Sequence, residues 1–157
     1  MSERQPITIL IADDDEEDRI LTQEALAGAR LANDLRFVVD GQDLIDYLRR
    51  EGSYANGEQA PAPGIILLDL NMPRLDGREA LGVIKADPEL RQIPIVVLTT
   101  SSAETDVEQA YQLGVNSFIT KPVTFAGLVE VMQDFSRYWF EIVELPRHAG
   151  SGGNGDP

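Results

Sequence analysis

The chain contains no cysteine, a single histidine and no long hydrophobic run among its 157 residues. Without cysteine it can form neither a disulfide bond nor a thiolate metal site. Because the one histidine, His148, lies near the C-terminus, a serine–histidine–aspartate mechanism would have no base. No apolar stretch is long enough to cross a bilayer and the first residues show no signal-peptide pattern, so we expect a cytoplasmic protein that does not insert into membranes.

Basic residues are also scarce. The sequence has 13 lysines and arginines against 27 aspartates and glutamates, which gives a formal net charge of −14 at pH 7. A surface of this sign repels the phosphate backbone of nucleic acids, so we expect no direct binding to DNA or RNA. The hydrophobic content of 43% nevertheless suits one globular domain with a sizeable core.

The chain alternates apolar runs with helical patterns. Strands are predicted at about residues 7–12, 35–39, 65–68, 95–98 and 117–120, and all but the second are continuous enough to predict burial on both faces. Helices are predicted at about residues 16–29, from about 44 to Gly52, from 77 to Ala86, from Ser102 to Gly114 and from 124 to 145. Five βα units imply an α/β fold, a parallel sheet with helices on both faces.

Three further segments complete the organisation. Residues 53–64 are rich in glycine and proline, which predicts a surface loop. We expect one domain over residues 1–146 with an extended last helix. The glycine-rich residues 147–157 are predicted to be a disordered tail.

Four of the predicted strands run directly into polar residues. Asp13 and Asp14 follow the first strand, Asp69 follows the third, Thr99 closes the fourth, and Lys121 follows the fifth. In an open parallel sheet the ligand site lies just beyond the carboxyl ends of the strands. We therefore expect three carboxylates, a hydroxyl and an amine to meet at one edge.

Such an acid cluster needs a counter-charge. Two carboxylates about 4 Å apart repel by roughly 4 kcal/mol at an effective dielectric constant near 20, so a cation or a proton must neutralise part of the charge. Oxygen ligands alone suit Mg²⁺, or Mn²⁺, with Asp13 and Asp14 holding the metal and Asp69 as a third ligand. A bound metal leaves positions open to phosphoryl oxygens. Asp69 could then act as nucleophile and become an aspartyl phosphate, while Lys121 and Thr99 bind the phosphoryl oxygens.

Each of these residues also has an ordinary structural interpretation. The acids within residues 13–18 could cap a helix and complement its dipole, which suits Asp15 better than the two acids at the strand end. Thr99 could belong to a helix-capping cluster, and Lys121 could lie in a surface turn. Asp69 is harder to explain in this way, because an acid that closes a buried strand is costly without a partner.

Together these motifs resemble the receiver domain of two-component response regulators, the CheY-like family. The matching segments are residues 9–15, residues 68–73 with Asp76 and Gly77, residues 97–100, and Lys121-Pro122. They cover the chain from about residue 7 to residue 135. The resemblance implies a flavodoxin-like (βα)5 doubly wound parallel sheet with strand order 2-1-3-4-5.

The resemblance also implies the chemistry of the site. Asp69 would accept a phosphoryl group from a sensor histidine kinase in a phosphorelay, in a stand-alone signalling protein that catalyses its own phosphorylation and dephosphorylation but is not otherwise an enzyme. Asn71 would give Mg²⁺ its backbone carbonyl, while Thr99 and Phe118 would move as a switch. A cis peptide bond before Pro122 is implied as well.

A narrower resemblance concerns the class of the kinase. The long loop of residues 53–64, the segment 98–104 and the ending 138–146 are similar to those of single-domain regulators paired with phytochrome histidine kinases. This similarity implies a bacteriophytochrome-type sensor kinase as the partner.

The last predicted helix suggests a homodimer. At about 1.5 Å per residue, residues 124–145 would extend about 30 Å, more than one sheet face usually needs. Its end is apolar around much of its circumference, and exposed aromatic patches mark interfaces. The predicted dimer contacts are Tyr138, Trp139, Phe140, Ile142 and Val143.

Three other functions compete with this interpretation. A haloacid-dehalogenase-like phosphatase also uses a nucleophilic aspartate, but it needs an acid two residues later, where this chain has Asn71. A flavodoxin-like FMN carrier would need a phosphate-binding loop after the first strand, where this chain has acids. The third alternative is a non-phosphorylated receiver-like module that only binds partners.

Overall fold

The computed structural model describes residues 8–28, 34–55, 60–99, 104–122 and 124–137. The strands are β1 (Thr8–Ala12), β2 (Asp34–Val38), β3 (Ile65–Leu68), β4 (Ile95–Thr99) and β5 (Ser117–Thr120). The α-helices are α1 (Glu16–Gly28), α2 (Gly41–Arg49), α3 (Gly77–Ala86), α4 (Glu104–Leu113) and α5 (Phe125–Arg137). Within these residues no helix combines the length and the hydrophobicity that a membrane crossing requires.

The five strands form one parallel sheet in the order β2-β1-β3-β4-β5. The central register aligns Ile9 of β1 with Ile65 of β3, and Ile66 of β3 with Ile95 of β4. The predicted fold class and strand order are therefore confirmed. All five carboxyl ends lie at one edge of the sheet, which is where the predicted site residues follow the strands.

Side chains alternate between two cores, one on each face of the sheet. Leu10, Ile66 and Val97 point into the larger core, which α2, α3 and α4 cover. Ile9 and Ile65 point into the other core, which α1 and α5 cover. Every residue of β3 and β4 is buried, as expected for continuous apolar strands between two helical layers.

The expected burial of β5 on both faces is wrong. Its burial falls from intermediate at Ser117, Phe118 and Ile119 to exposed at Thr120. The cause is its place in the sheet: β5 pairs with β4 on one side only, as an edge strand does. An apolar run records local composition, whereas burial depends on the neighbours that the topology supplies.

Helix α2 ends earlier than the predicted stop at Gly52. Arg50 adopts the left-handed conformation with φ of 56°, and its N–H donates to the carbonyl oxygens of Asp46 and Tyr47. Gly52, with φ of 58°, instead opens a single turn of 3-10 helix, Gly52–Tyr54. A left-handed residue ends the helix, as a helix-terminating glycine would, but two residues before Gly52. The sequence did not indicate this end because arginine rarely adopts the left-handed conformation.

The predicted surface loop of residues 53–64 is only partly a surface feature. Ala60 is buried, the hydroxyl of Tyr47 donates to Pro61 O at 2.7 Å, and the rings of Tyr47 and Tyr54 pack edge to face at 5.1 Å. Tyr54 also donates to Asp43 Oδ1 at 2.8 Å. The described part of this segment therefore packs against α2 through contacts of Tyr54 and Pro61 with Tyr47 and Asp43.

The remaining expectations concern two helix ends and the peptide bond before Pro122. The predicted start of the fourth helix at Ser102 and the apolar end of the last helix beyond Arg137 lie outside the described residues. The expected cis bond before Pro122 is wrong, because no cis peptide bond occurs in the part of the chain that the structure describes. The trans form is favoured even before proline, by about 0.5–1 kcal/mol.

Candidate functional site

The sheet itself positions the predicted site residues. The N–H of Asp13 donates to Val38 O at 3.1 Å, that of Asp69 to Ala12 O at 3.0 Å, and that of Lys121 to Thr99 O at 2.8 Å. Each of these residues therefore continues the hydrogen bonding of the strand before it. Their side chains leave rigid backbone at the same edge of the sheet, as the sequence predicted.

Three carboxylates meet at this edge. One oxygen from each of Asp13, Asp14 and Asp69 lies within 4.8 Å of the others. Asp13 and Asp69 are buried, with 2% and 8% of their surface exposed, whereas Asp14 is exposed. This donor set fits a hard divalent cation, because it consists of oxygens only and its open side at Asp14 leaves room for water or a ligand.

The ammonium of Lys121 lies among the acids. Its Nζ is 2.6 Å from Asp13 Oδ2, 3.0 Å from Asp18 Oδ2 and 3.3 Å from Asp69 Oδ2. Burial alone would lower the pKa of Lys121, but the hydrogen bond and charge of Asp13, with Asp69 and Asp18, raise it above its usual value. The lysine therefore keeps its positive charge. Its side chain is only 9% exposed, so the alternative interpretation of Lys121 as part of an exposed surface turn does not hold.

Opposing effects determine the pKa of Asp13. Burial raises its pKa above the ordinary value, although the hydrogen bonds from Lys121 and from the N–H of Asp15 act in the other direction. The desolvation of this carboxylate therefore outweighs the stabilisation by its partners. A second cation at the cluster would relieve that imbalance.

Asp69 is engaged through both of its oxygens. Oδ1 accepts hydrogen bonds from the hydroxyl of Thr99 at 2.8 Å and from the N–H of Asn71 at 3.0 Å. Oδ2 faces the ammonium of Lys121 at 3.3 Å. The side-chain amide of Asn71 also approaches Thr99 Oγ1 at 3.4 Å. Thr99 is therefore a buried partner of the central acid.

The helix-capping interpretation holds for one acid of the first cluster. Asp15 Oδ1 accepts the N–H groups of Glu17 at 2.8 Å and of Asp18 at 3.2 Å, which caps α1. Asp13 Oδ2 accepts from Lys121, and Asp13 Oδ1 accepts the N–H of Asp15 at 3.0 Å. The capping interpretation of Asp15 is therefore confirmed, whereas the sequence missed Asp18 as a partner of Lys121.

Phe118 lies apart from the acids. Its ring is half-buried and packs against the larger core, and its N–H donates to the hydroxyl of Tyr111 on α4 at 3.1 Å. Phe118 therefore connects β5 to α4, and β5 is the strand next to β4, which contains Thr99. The five predicted dimer residues, Tyr138 to Val143, lie outside the described residues.

The loop between β3 and α3, together with the start of α3, forms two ion pairs that the sequence did not reveal. Arg74 pairs with Asp40 through two hydrogen bonds, Nε to Oδ2 at 2.7 Å and Nη2 to Oδ1 at 3.0 Å. Arg78 of α3 pairs in the same two-point manner with Asp106 of α4, at 2.8 and 2.7 Å. The partners are 34 and 28 positions apart, so no local pattern could have connected them.

A buried carboxylate with a hydroxyl, an ammonium and a metal-ligating acid pair around it can perform phosphoryl chemistry. The carboxylate supplies a nucleophile, and the ammonium and hydroxyl supply positive charge and a hydrogen bond for phosphoryl oxygens. No thiol or imidazole lies at the edge among the described residues, so acyl-transfer mechanisms that need those groups do not fit.

Comparison with known proteins gives a consistent result. The family model for the response regulator receiver domain matches residues 9–133. Response regulator Rcp1 of Synechocystis sp. is 41% identical over 141 residues, which are 90% of this chain and 94% of that protein. The crystal structure of the Mn²⁺-bound form of Rcp1 has a TM-score of 0.83 and covers 90% of this chain and 100% of that chain.

Two further solved structures are similar over nearly the same length. The phosphorylated cyanobacterial phytochrome response regulator RcpA is 41% identical, with a TM-score of 0.84, 91% of this chain covered and 100% of that chain. The bacteriophytochrome response regulator AtBRR is 39% identical, with a TM-score of 0.71 and coverage of 90% and 100%.

Proposed function

The chain belongs to the response regulator receiver family, and from this membership we propose that Asp69 accepts a phosphoryl group from the phosphohistidine of a sensor histidine kinase. Proteins of this family are phosphoacceptors in signalling. Family membership disfavours the haloacid-dehalogenase-like and FMN-carrier alternatives, and the presence of every expected site residue argues against a module that only binds partners.

The observation that carries the proposal is the set of contacts to Asp69. One carboxylate oxygen is held by Thr99 and Asn71, at 2.8 and 3.0 Å. Among the described residues the other oxygen, Oδ2, has one hydrogen-bond donor, the ammonium of Lys121 at 3.3 Å. This second oxygen is the less occupied one, and we assign it as the nucleophile.

The transfer itself is a substitution at phosphorus. Asp69 Oδ2 forms a bond to the phosphorus while the bond from phosphorus to the histidine nitrogen breaks. The imidazole leaves with that electron pair as a neutral ring when its other nitrogen carries a proton. Lys121 and Thr99 are close enough to Asp69 to neutralise and hydrogen-bond the transferred oxygens.

The acid cluster would hold the divalent cation that this chemistry needs. Asp13, Asp14, Asp69 and the backbone carbonyl of Asn71 are the proposed ligands, and Mg²⁺ with Mn²⁺ as an alternative matches their oxygens. When bound, the cation supplies positive charge that lowers the cost of bringing the phosphoryl group to a carboxylate. The Mn²⁺-bound form of the relative Rcp1 supports this assignment.

The same site would also reverse the signal. We propose that water hydrolyses the aspartyl phosphate there, and that Thr99 and Phe118 change position between the two states. The position of Thr99, within hydrogen-bond distance of Asp69 Oδ1, supports a role in sensing the phosphoryl group. The contact of Phe118 with Tyr111 supports a route from β5 to α4.

The kinase is proposed to be a bacteriophytochrome type, in the cytoplasm. The relatives RcpA and AtBRR are named for phytochrome signalling. We propose further that residues 1–146 form the receiver, that residues 147–157 are a tail, and that the chain binds neither nucleic acid nor membranes.

A homodimer through the end of the last helix is also proposed, with Tyr138, Trp139, Phe140, Ile142 and Val143 at the contact. Analytical ultracentrifugation should give a dimer at micromolar concentration, and the variant W139A/F140A should shift it towards monomer. The matched substitution Tyr111→Ala removes an exposed aromatic of α4 and should leave the dimer intact. A wild-type protein that sediments as a monomer at tens of micromolar would remove this part of the proposal.

The central test is phosphotransfer from radiolabelled histidine kinases, phytochrome kinases first. Wild-type protein should acquire label that alkaline hydroxylamine removes, and Asp69→Asn should acquire none. Asp34→Asn, a half-exposed acid at the start of β2 on the opposite edge of the sheet, is the matched control and should behave as wild type. Hydroxylamine-resistant label in Asp69→Asn would place phosphorylation elsewhere.

A further inference from the structure

An ion pair fastens the loop that follows the central acid. We call residues 69–77, between β3 and α3, the active-site loop, because they begin at Asp69 and include Asn71. Arg74, in the middle of this loop, donates to both oxygens of Asp40, at 2.7 and 3.0 Å. Asp40 follows β2 and is the N-cap of α2, so the pair ties the active-site loop to a helix of the rigid fold.

Both partners are constrained in their own elements. Asp40 is 6% exposed, and its Oδ1 also accepts the N–H of Asp43 at 2.8 Å, so its carboxylate is held by α2. Arg74 has φ of 64°, a left-handed conformation that an ordinary residue adopts at a cost of about 1–2 kcal/mol and that glycine adopts freely. Arg74 adopts this conformation at that cost in free energy, and its guanidinium makes two hydrogen bonds with Asp40.

The loop is held on either side of Arg74 as well. A Cβ at Gly41 would overlap the carbonyl oxygen of Leu75, so the loop backbone lies directly on the first turn of α2. A Cβ at Gly77 would overlap the carbonyl oxygen of Asp69, and the N–H of Gly77 donates to Leu70 O at 2.9 Å. Within this segment Asn71 hydrogen-bonds to Asp69 and Thr99, and Met72 is buried in the larger core. The ion pair of Arg74 adds a tie to α2, on the side of the loop that those contacts do not reach.

We propose that Arg74 is a positioning residue for the divalent cation: through Asp40 it fixes the loop segment that presents the backbone carbonyl of Asn71. The inference rests on the proposed function, in which that carbonyl is a metal ligand. Arg74 itself touches no acid of the cluster among its described contacts, and 60% of its side chain is exposed.

Charge and position predict opposite results when Arg74 is removed. Arg74→Gln deletes a positive charge near an acid cluster, which by Coulomb attraction alone would tighten the binding of a cation. Loss of the tie would instead weaken the binding, because a ligand that is not held in place must be ordered when the cation binds. The direction of the change therefore distinguishes the two effects.

The choice of cation gives a second, independent readout. Mg²⁺ demands near-ideal octahedral geometry, whereas Ca²⁺ of the same charge accepts flexible geometry and more ligands. A misplaced carbonyl should therefore affect Mg²⁺ more than Ca²⁺. A general loss of folding or a change in charge would affect the two cations alike.

The experiment is calorimetric titration of the full chain with Mg²⁺ and with Ca²⁺. Arg74→Gln should weaken Mg²⁺ binding about tenfold, the lower end of the range for groups that orient a metal ligand, and Ca²⁺ binding much less. Arg74→Lys keeps the charge without the two-point contact and should fall between wild type and Arg74→Gln. Arg49→Gln removes the same charge at the other end of α2 and should leave Mg²⁺ affinity unchanged or slightly higher.

A double-substitution cycle completes the test. If the pair acts as a unit, R74Q/D40N should bind Mg²⁺ no more weakly than the weaker single variant. Unchanged or tighter Mg²⁺ binding by Arg74→Gln, or equal weakening of both cations, would overturn the inference. Asp14→Asn separates it from the proposed function: if wild type binds no Mg²⁺, or Asp14→Asn binds it normally, the metal site itself is wrong and the inference falls with it.

Discussion

Replacing Lys121 by methionine would test whether its ammonium is the counter-charge that holds the site together without metal. The side chains of Lys121, Asp13 and Asp69 are 9%, 4% and 9% exposed, so methionine would leave two buried carboxylates uncompensated. Their nearest oxygens are no more than 4.8 Å apart, which corresponds to a repulsion of about 3.5 kcal/mol at an effective dielectric constant near 20. Breaking one partner out of a buried ion pair costs about 3–5 kcal/mol in general.

We therefore expect Lys121→Met to lower the free energy of unfolding at neutral pH by about 3 kcal/mol when EDTA is present. Saturating Mg²⁺ should restore most of the lost free energy of unfolding, because a cation at about 100 times its Kd contributes about 2.7 kcal/mol to the folded state. In the variant the cation also no longer competes with an ammonium for the carboxylates. Urea unfolding followed by far-ultraviolet circular dichroism measures both values.

The matched control is Lys85→Met, at the only other lysine of the chain. Lys85 donates to the carbonyl oxygen of Arg91 at 3.0 Å, and no carboxylate contacts it among the described residues. We expect its loss to cost less than about 1 kcal/mol, equally in EDTA and in Mg²⁺. If Lys121→Met costs no more than Lys85→Met, or if Mg²⁺ does not restore it selectively, the ammonium is not the counter-charge of the cluster.

Two further predictions follow from the ties of the active-site loop. Burial opposes the ionisation of Asp40, but the hydrogen bonds from Arg74 and the N–H of Asp43 outweigh it and lower its pKa below 3.8. The stability that ionised Asp40 contributes is therefore present above pH 3.8 and lost as the pH falls through the lowered pKa. Asp40→Asn should flatten the dependence of the free energy of unfolding on pH in this range, measured by urea unfolding. A variant with the same slope as wild type would contradict the assignment. Gly77→Ala should destabilise the fold by about 1–3 kcal/mol, because its Cβ would lie 2.6 Å from Leu70 Cα; Gly82→Ala, with open space around it in the same helix, should be neutral or stabilising in the same urea experiment.

The interior strands show why much of the fold was predictable. β1, β3 and β4 are short apolar runs whose type and approximate place follow from local composition, and the structure confirms them within about a residue or two. α3 ends at Ala86 as predicted, and α4 is followed by Gly114 with φ of 100° as expected for a helix terminator. Local signals suffice here because each of these boundaries depends on a few neighbouring residues.

The boundaries that failed depend on contacts distant in sequence. β5 has an apolar sequence but only one strand neighbour, so its burial was overestimated. α2 stops at a left-handed Arg50, a residue type that predicts no termination. In the described residues after α2, Tyr54 packs against Tyr47 of α2, where composition predicted a surface loop.

The sequence alone determined which residues close the strands, and with a parallel sheet this was enough to predict that Asp13, Asp14, Asp69, Thr99 and Lys121 meet. That step needs no side-chain geometry, because all parallel strands bring their carboxyl ends to one edge. Only the tertiary structure decided the pairings within and around the cluster. Lys121 reaches Asp18 across 103 positions of sequence, and Arg74 reaches Asp40 across 34. Such pairs carry no local periodicity, since they arise only when the folded chain fixes both partners within hydrogen-bond distance.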